Sequence, residues 1–107
     1  MLSSKNRINK KLFDEVFKKG KVFNSKFFVL KHLLVKKGKR FAFVVSSSVS
    51  GSAVKRNLLK RRGKYILDLN KDKIKEGTAL IFLFKKESLN AEFKEIKKDI
   101  LFLLDKL

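Results

Sequence analysis

Six consecutive apolar residues, Ala79 to Phe84, follow Thr78 in a chain in which 36% of the residues are charged. A strand with one solvent-exposed face alternates apolar and polar residues, whereas a strand covered on both faces is apolar at every position. The segment 78–84 therefore predicts the central strand of a sheet. Because a predicted helix comes before it, we expect this strand to pair in parallel with an earlier strand.

Three other segments have the apolar spacing of helices, and each follows a polar residue suited to cap it. The first runs from Lys10 to Lys19 after Asn9. The second begins after Ser52 and runs to about Leu69, and the third follows Asn90. The pattern thus predicts one helix near the start of the chain, one in the middle and one at the end.

The remaining apolar segments have the composition of strands. Segments 27–35 and 40–46 are rich in Phe and Val, and the Lys-Lys-Gly-Lys sequence at 36–39 predicts a hairpin turn between them. A short strand is expected at 22–23. The order αβββαβα predicts an α+β fold, a small two-layer sandwich whose sheet is mostly antiparallel, in a single domain over residues 1–107.

The charge of the chain indicates an anionic partner. Lys and Arg number 28 against 10 Asp and Glu, which gives a formal net charge of +18. Such an excess repels itself unless a polyanion neutralises it, and with 44% hydrophobic residues the chain is not a disordered basic tail. The absence of Cys excludes disulfides and thiolate zinc sites and favours a cytoplasmic location. The sequence has neither a signal-peptide core nor a membrane-spanning segment, so we expect no membrane partner.

The basic segment 53–64 is expected to form an amphipathic helix. With a rotation of 100° per residue, the residues expected to bind phosphate lie within about 140° of one another around the helix axis. This polar face comprises Arg56, Asn57, Lys60, Arg61 and Lys64. The expected apolar face comprises Val54, Leu58, Leu59, Tyr65, Ile66 and Leu69, with Lys55 and Arg62 projecting from its middle. The sequence thus predicts one face for the core and one for a nucleic-acid backbone.

The order of strand, polar turn and basic helix resembles the protein subunit of bacterial ribonuclease P. The strand 40–46 ends in Val-Ser, and the helix begins Ala-Val-Lys-Arg-Asn at residues 53–57 and continues with Lys60-Arg61. That family carries an Arg-Asn-Arg motif followed by Lys-Arg on this helix. The supporting matches are Asn6-Arg7, Phe13, Phe17, Gly20, Phe28-Val29-Leu30 and Gly77.

The chain also departs from the family pattern. Leu58 stands in place of the second Arg of the motif, and Ser47-Ser48 replace a usual Lys pair. Lys31 occupies a position where an aromatic residue is common, and the turn before the helix is one residue longer. Lys55 and Arg62 are placed to restore part of the missing charge.

The resemblance implies an accessory role in a ribonucleoprotein. A catalytic RNA removes the 5′ leader of precursor tRNA with Mg²⁺ held mainly by the RNA, and no further protein partner is required. The family also implies a left-handed crossover around the basic helix. The residues expected to bind the catalytic RNA are Lys55, Arg56, Asn57, Lys60, Arg61, Arg62 and Lys64. Those expected to bind the single-stranded leader are Phe13, Phe17, Phe28, Lys31 and Lys85.

Two other functions are compatible with a small basic domain. A structural or ribosomal RNA-binding protein would have the same charge, and a cationic protein could act at anionic membranes. Most of the 11 Phe must form the core, including Phe41, Phe43, Phe82 and Phe93. His32 is expected to be structural, and no acidic residues have metal-site spacing.

Overall fold

The computed structural model describes residues 6–107, which form three α-helices, four strands and two short 3₁₀ turns. In chain order the elements are α1 (Lys10–Lys19), β1 (Lys21–Asn24), β2 (Phe28–Leu34), β3 (Lys39–Val44), α2 (Ala53–Leu69), β4 (Thr78–Phe84) and α3 (Phe93–Leu104). The 3₁₀ turns are Lys71–Lys73 and Lys86–Asn90. The predicted α+β class and the order αβββαβα are confirmed.

The sheet has the order β1-β2-β4-β3, so β4 lies inside the sheet as predicted. It pairs antiparallel with β2 and parallel with β3, while β1 pairs antiparallel with β2. The sheet is therefore mixed, with two of its three pairings antiparallel. The connection from β3 through α2 to β4 joins two parallel neighbours, and its left-handedness stays a prediction.

The predicted hairpin between β2 and β3 is wrong, because β4 lies between these two strands. The start of β4 instead lies beside the turn between β2 and β3, where Gly38 O accepts hydrogen bonds from Gly77 N and Thr78 N at 2.8 and 3.1 Å. Gly38 and Gly77 have φ values of 90° and 82°, a region that favours glycine. The most apolar strand thus takes the position where both of its faces are covered.

The two faces of the sheet pack against different helices. Phe82 and its alternate neighbours on β4 face α2 and α3 and form the main core, which also contains Phe28 and Phe43. Ile81 and Ala79 face the other way and pack against Val16 of α1. The sandwich of sheet with α2 and α3 therefore gains a partial third layer from α1.

The helix ends follow the capping predictions at two of the three helices. Asn9 Oδ1 accepts from Leu12 N at 2.8 Å, and Ser52 Oγ accepts from Lys55 N at 3.3 Å. The prediction that Asn90 caps α3 is wrong. Glu92 is the cap and forms a reciprocal capping box with Glu95, because Asn90 already ends a 3₁₀ turn.

None of the helices within residues 6–107 is long and apolar enough to cross a membrane. The first five residues, which belong to the N-terminal segment expected to contain no signal-peptide core, lie outside the described part of the chain.

Helix α2 approaches the sheet most closely at Gly63, which is buried against the ring of Phe43. A Cβ atom added at Gly63 would lie 2.5 Å from Cε1 of Phe43, closer than two carbon atoms that are not bonded to each other can approach. The Phe43 ring has little room to retreat, because it stacks on Phe82 with ring centroids 5.1 Å apart. Gly63 therefore determines how near α2 lies to β3.

We expect Gly63→Ala to lower the free energy of unfolding by about 1 to 3 kcal/mol through overpacking. This loss would occur although Ala is intrinsically about 1 kcal/mol better than Gly inside a helix. Urea denaturation measures it, with Gly51→Ala as the control because no atom lies within 4 Å of an added Cβ there. Equal stability of Gly63→Ala and the unsubstituted chain would contradict the close contact.

Candidate nucleic-acid interface

Helix α2 carries all the residues predicted to bind the catalytic RNA. Lys55, Asn57, Arg61 and Lys64 are exposed, whereas Arg56, Lys60 and Arg62 are half-buried. In the α2 sequence, Asp68 is the single acidic residue, and it pairs with Lys71 at 3.0 Å. The exposed cations therefore remain available to phosphate oxygens.

The predicted orientation of α2 about its axis is wrong by roughly 100°, one residue step. The buried residues of α2 are Leu59, Gly63, Ile66 and Leu67. Four of the residues expected to face the core, Val54, Leu58, Tyr65 and Leu69, are exposed instead. Gly63 faces the sheet because a residue without a Cβ atom lets the helix backbone lie against the ring of Phe43. Lys55, expected within the apolar arc, consequently lies on the outer surface.

Arg56 has a structural contact that the sequence did not indicate. Its Nη1 donates a hydrogen bond to Ser50 O at 2.7 Å and so ties α2 to the polar loop before it. Val49 of this loop is buried, and the hydroxyls of Ser46 and Ser48 lie 2.6 Å apart. Arg56 therefore holds the loop in place, and part of its hydrogen-bonding capacity is already used.

A basic groove of about 340 Å³ runs between α2, β3 and the segment before α1. It is lined by Arg7, Ile8, Phe41, Ala42, Phe43, Lys60, Arg61 and Lys64. Arg7 belongs to the family resemblance, but no pattern in the sequence indicated that it binds RNA. Its position follows from a single parallel bridge to Phe41, which fixes the N-terminal segment along β3. Cations from two segments thus line one groove.

A second candidate surface lies on the α1 side of the sheet. Phe13 and Phe17 stack with ring centroids 5.9 Å apart and an interplanar angle of 18°. The ammonium of Lys31 lies 3.5 Å from the Phe17 ring centroid and donates to Phe17 O at 2.8 Å. Phe17 is 44% exposed. The structure therefore brings together Phe13, Phe17 and Lys31, here called the leader platform, as an aromatic pair beside a cation.

Two residues predicted to bind the leader do not belong to this platform. Phe28 is fully buried and packs edge-on against Phe82 on the opposite face of the sheet, so its predicted stacking on RNA is wrong. Successive strand residues point to opposite faces, and Phe28 differs from Lys31 by an odd number of positions. Lys85 donates to Ser25 O at 2.7 Å, which places its ammonium at the turn between β1 and β2.

Asp99, an acidic residue of α3, has a structural role. Asp99 Oδ2 accepts hydrogen bonds from Ser25 Oγ at 2.6 Å and from Phe27 N at 2.9 Å, which ties α3 to the turn before β2. Within residues 6–107 there is no group of three or more His, Cys, Asp or Glu side chains that could hold a metal ion.

The single histidine does not add to the cationic surface at neutral pH. Burial, together with the positive charge of Lys21, lowers the pKa of His32 below its ordinary value of 6.5. The imidazole is therefore largely neutral at pH 7, and it lies near the ring of Phe23, with ring centroids 6.5 Å apart.

Comparison with known sequences identifies the family of the chain. A profile of the ribonuclease P family matches residues 2–107. The ribonuclease P protein component of a Nitratiruptor species is 36% identical over 98 residues, which cover 92% of this chain and 87% of that protein. The corresponding component of Clostridioides difficile is 38% identical over 91 residues, 82% of this chain and 78% of that protein.

Solved structures show the same fold. The ribonuclease P protein of Thermotoga maritima superposes with a TM-score of 0.85 at 26% identity, covering 94% of this chain and 96% of that one. The Staphylococcus aureus ribonuclease P protein gives 0.84 at 23% identity, covering 94% and 93%. The fold and the basic groove define a small RNA-binding α+β protein. The chain belongs to the ribonuclease P protein family.

We expect the double variant Arg61→Ala, Lys64→Ala to bind ribonuclease P RNA more weakly with a shallower salt dependence. The slope of log K against log salt should fall by about 0.7 to 0.9 for each phosphate that the variant no longer neutralises. Filter binding over a salt series measures the slope. Removal of two exposed cations from α3 by Lys97→Ala, Lys98→Ala is the matched control. Identical slopes for the two double variants would contradict the placement of the RNA on α2.

Proposed function

We propose that this chain is the protein subunit of ribonuclease P, which assists a catalytic RNA in removing the 5′ leader of precursor tRNA. The observation that carries the proposal is the full-length family match together with two separate surfaces suited to RNA. One is the basic groove beside α2, and the other is the leader platform on the opposite side of the sheet.

The basic groove is suited to the backbone of a folded RNA. Lys60, Arg61 and Lys64 offer ammonium and guanidinium donors along α2, and Arg7 faces them from the N-terminal segment. Such contacts bind phosphate oxygens regardless of sequence, and the net charge of +18 accelerates encounter with an anionic partner. This surface can therefore position the protein on its RNA without reading bases.

The leader platform is suited to an unpaired strand. A base can stack on the exposed part of the Phe13 and Phe17 pair, while the Lys31 ammonium is close enough to meet the adjoining phosphate. Every base has an aromatic face, so this mode tolerates any leader sequence. Lys31 brings a cation to a position where the family often has an aromatic ring.

We further propose that Mg²⁺ is bound mainly by phosphates of the partner RNA. There it would stabilise the charge that develops when water attacks phosphorus. The protein's own residues bind and orient the two RNAs. A cytoplasmic location is proposed as well, because a chain without Cys is suited to a reducing compartment.

Cleavage of a 5′-extended precursor tRNA at low Mg²⁺ tests the proposal. We expect the protein alone to be inactive, a bacterial ribonuclease P RNA alone to be slow, and the mixture to release a mature 5′ end efficiently. If the folded protein binds the RNA yet the mixture cleaves no faster than the RNA alone, a structural RNA-binding role replaces this proposal.

Substitution of the leader platform should affect only RNA that carries a leader. We expect Phe17→Ala, in the assembled holoenzyme, to weaken precursor tRNA binding by about 1 to 3 kcal/mol per stacked base and to leave mature tRNA binding unchanged. Phe102→Ala is the matched control, because Phe102 is also an exposed aromatic residue but lies on α3. An equal loss of affinity for both tRNAs would rule out the platform as the leader site.

A further inference from the structure

An apolar stripe runs along the outer face of α2. Val54, Leu58, Tyr65 and Leu69 lie on one side of the helix, and Val54 and Tyr65 are 76% and 54% exposed. Phe93 of α3 was expected in the core, but it is 37% exposed and extends the stripe, with its ring centroid 6.0 Å from that of Tyr65. These five residues are called the outer stripe. On α2 the stripe consists of two apolar pairs, Val54 with Leu58 and Tyr65 with Leu69, separated by Arg61 and Arg62. Apolar residues grouped on one exposed side of a helix, rather than scattered singly, indicate an interaction site.

Cations border the outer stripe on both sides. Lys64 and Arg61 follow one edge, and Lys55 and Arg62 follow the other, as helical spacing requires. The surface is therefore apolar along its middle and positive along its margins. A molecule that binds this surface therefore needs an apolar face with negative charge next to that face.

A second copy of the chain does not fit this description. Two copies would each bring a net charge of +18 and would set like charges opposite one another along the stripe. Unpaired RNA does fit, because each nucleotide joins a flat base with an apolar face to a charged phosphate. Leu58 agrees with this interpretation, since it places an apolar side chain where the family motif has a second Arg.

We propose that the outer stripe seats unpaired nucleobases of the catalytic RNA, with Tyr65 as the stacking ring and the flanking cations on the neighbouring phosphates. This inference rests on the proposed function and adds a base-stacking site to a surface otherwise expected to contact only phosphates. It concerns α2 and is separate from the leader platform on α1.

Stacking and phosphate contacts differ in their response to salt. A phosphate contact releases counterions and steepens the salt dependence of binding, whereas stacking on a neutral ring releases none. Removal of the Tyr65 ring should therefore lower the affinity by a similar factor at every salt concentration. Removal of the Arg61 guanidinium should lower it most at low salt.

The test measures binding of a bacterial ribonuclease P RNA over a salt series. We expect Tyr65→Ala to bind about 5- to 100-fold more weakly with an unchanged slope, and Tyr65→Phe to bind like the unsubstituted chain. Leu34→Ala is the control, because Leu34 is 76% exposed on β2 and away from the stripe. Binding by Tyr65→Ala that equals the unsubstituted chain at every salt concentration would overturn the inference.

A spectroscopic measurement reports stacking directly. The chain contains no Trp, so Tyr65→Trp introduces a single fluorophore. Its emission should be quenched when ribonuclease P RNA binds, while that of Leu34→Trp should change little. Unchanged emission of Tyr65→Trp with the RNA bound would overturn the inference, as would a dimer of the free protein that Tyr65→Ala dissociates.

The unsubstituted chain separates this inference from the proposed function. If it binds ribonuclease P RNA no better than an unrelated RNA of equal length, the proposed function fails and the inference fails with it. If it prefers ribonuclease P RNA and accelerates cleavage, but the Tyr65 variants behave like the controls, only the outer stripe assignment fails.

Discussion

The contact between the backbone of Gly63 and the ring of Phe43 sets the orientation of α2, on which the basic groove and the outer stripe depend. Because α2 approaches β3 most closely at its glycine, the helix turns Leu59 and Ile66 inward and presents its cations outward. A helix seated on its largest apolar residues would instead bury Tyr65 and direct the basic residues differently. One small residue thus determines which side of a highly charged helix meets solvent.

The sheet separates the two surfaces proposed to contact RNA. Helix α2 and the N-terminal segment form a basic groove on one side, whereas Phe17 and Lys31 form an aromatic platform with α1 on the other. The strand β4 makes this possible, since it is covered on both faces and gives each helix an apolar surface. Self-repulsion of the net charge of +18 is reduced because the cations lie on the outside of this core.

Local signals in the sequence predicted the element order, two of the three helix caps and the central place of β4. Prediction failed where partners distant in the chain decide the outcome. The hairpin was wrong because β4, a later segment, inserts between β2 and β3. The orientation of α2 was wrong because the space beside Gly63 depends on Phe43, and Phe28 was misassigned because its strand face follows from pairing. The resemblance named Phe13, Phe17 and Lys31, which the structure brings together, and their binding of the leader stays a prediction.

Directed cleavage from single-cysteine variants tests the separation of the two surfaces most directly. The chain has no Cys, so Arg61→Cys and Phe17→Cys each provide one attachment point for an iron chelate that generates hydroxyl radicals. In the holoenzyme with precursor tRNA, we expect the probe at position 61 to cut the catalytic RNA and the probe at position 17 to cut the leader. Cleavage of the same strand from both positions, in an active holoenzyme, would contradict it.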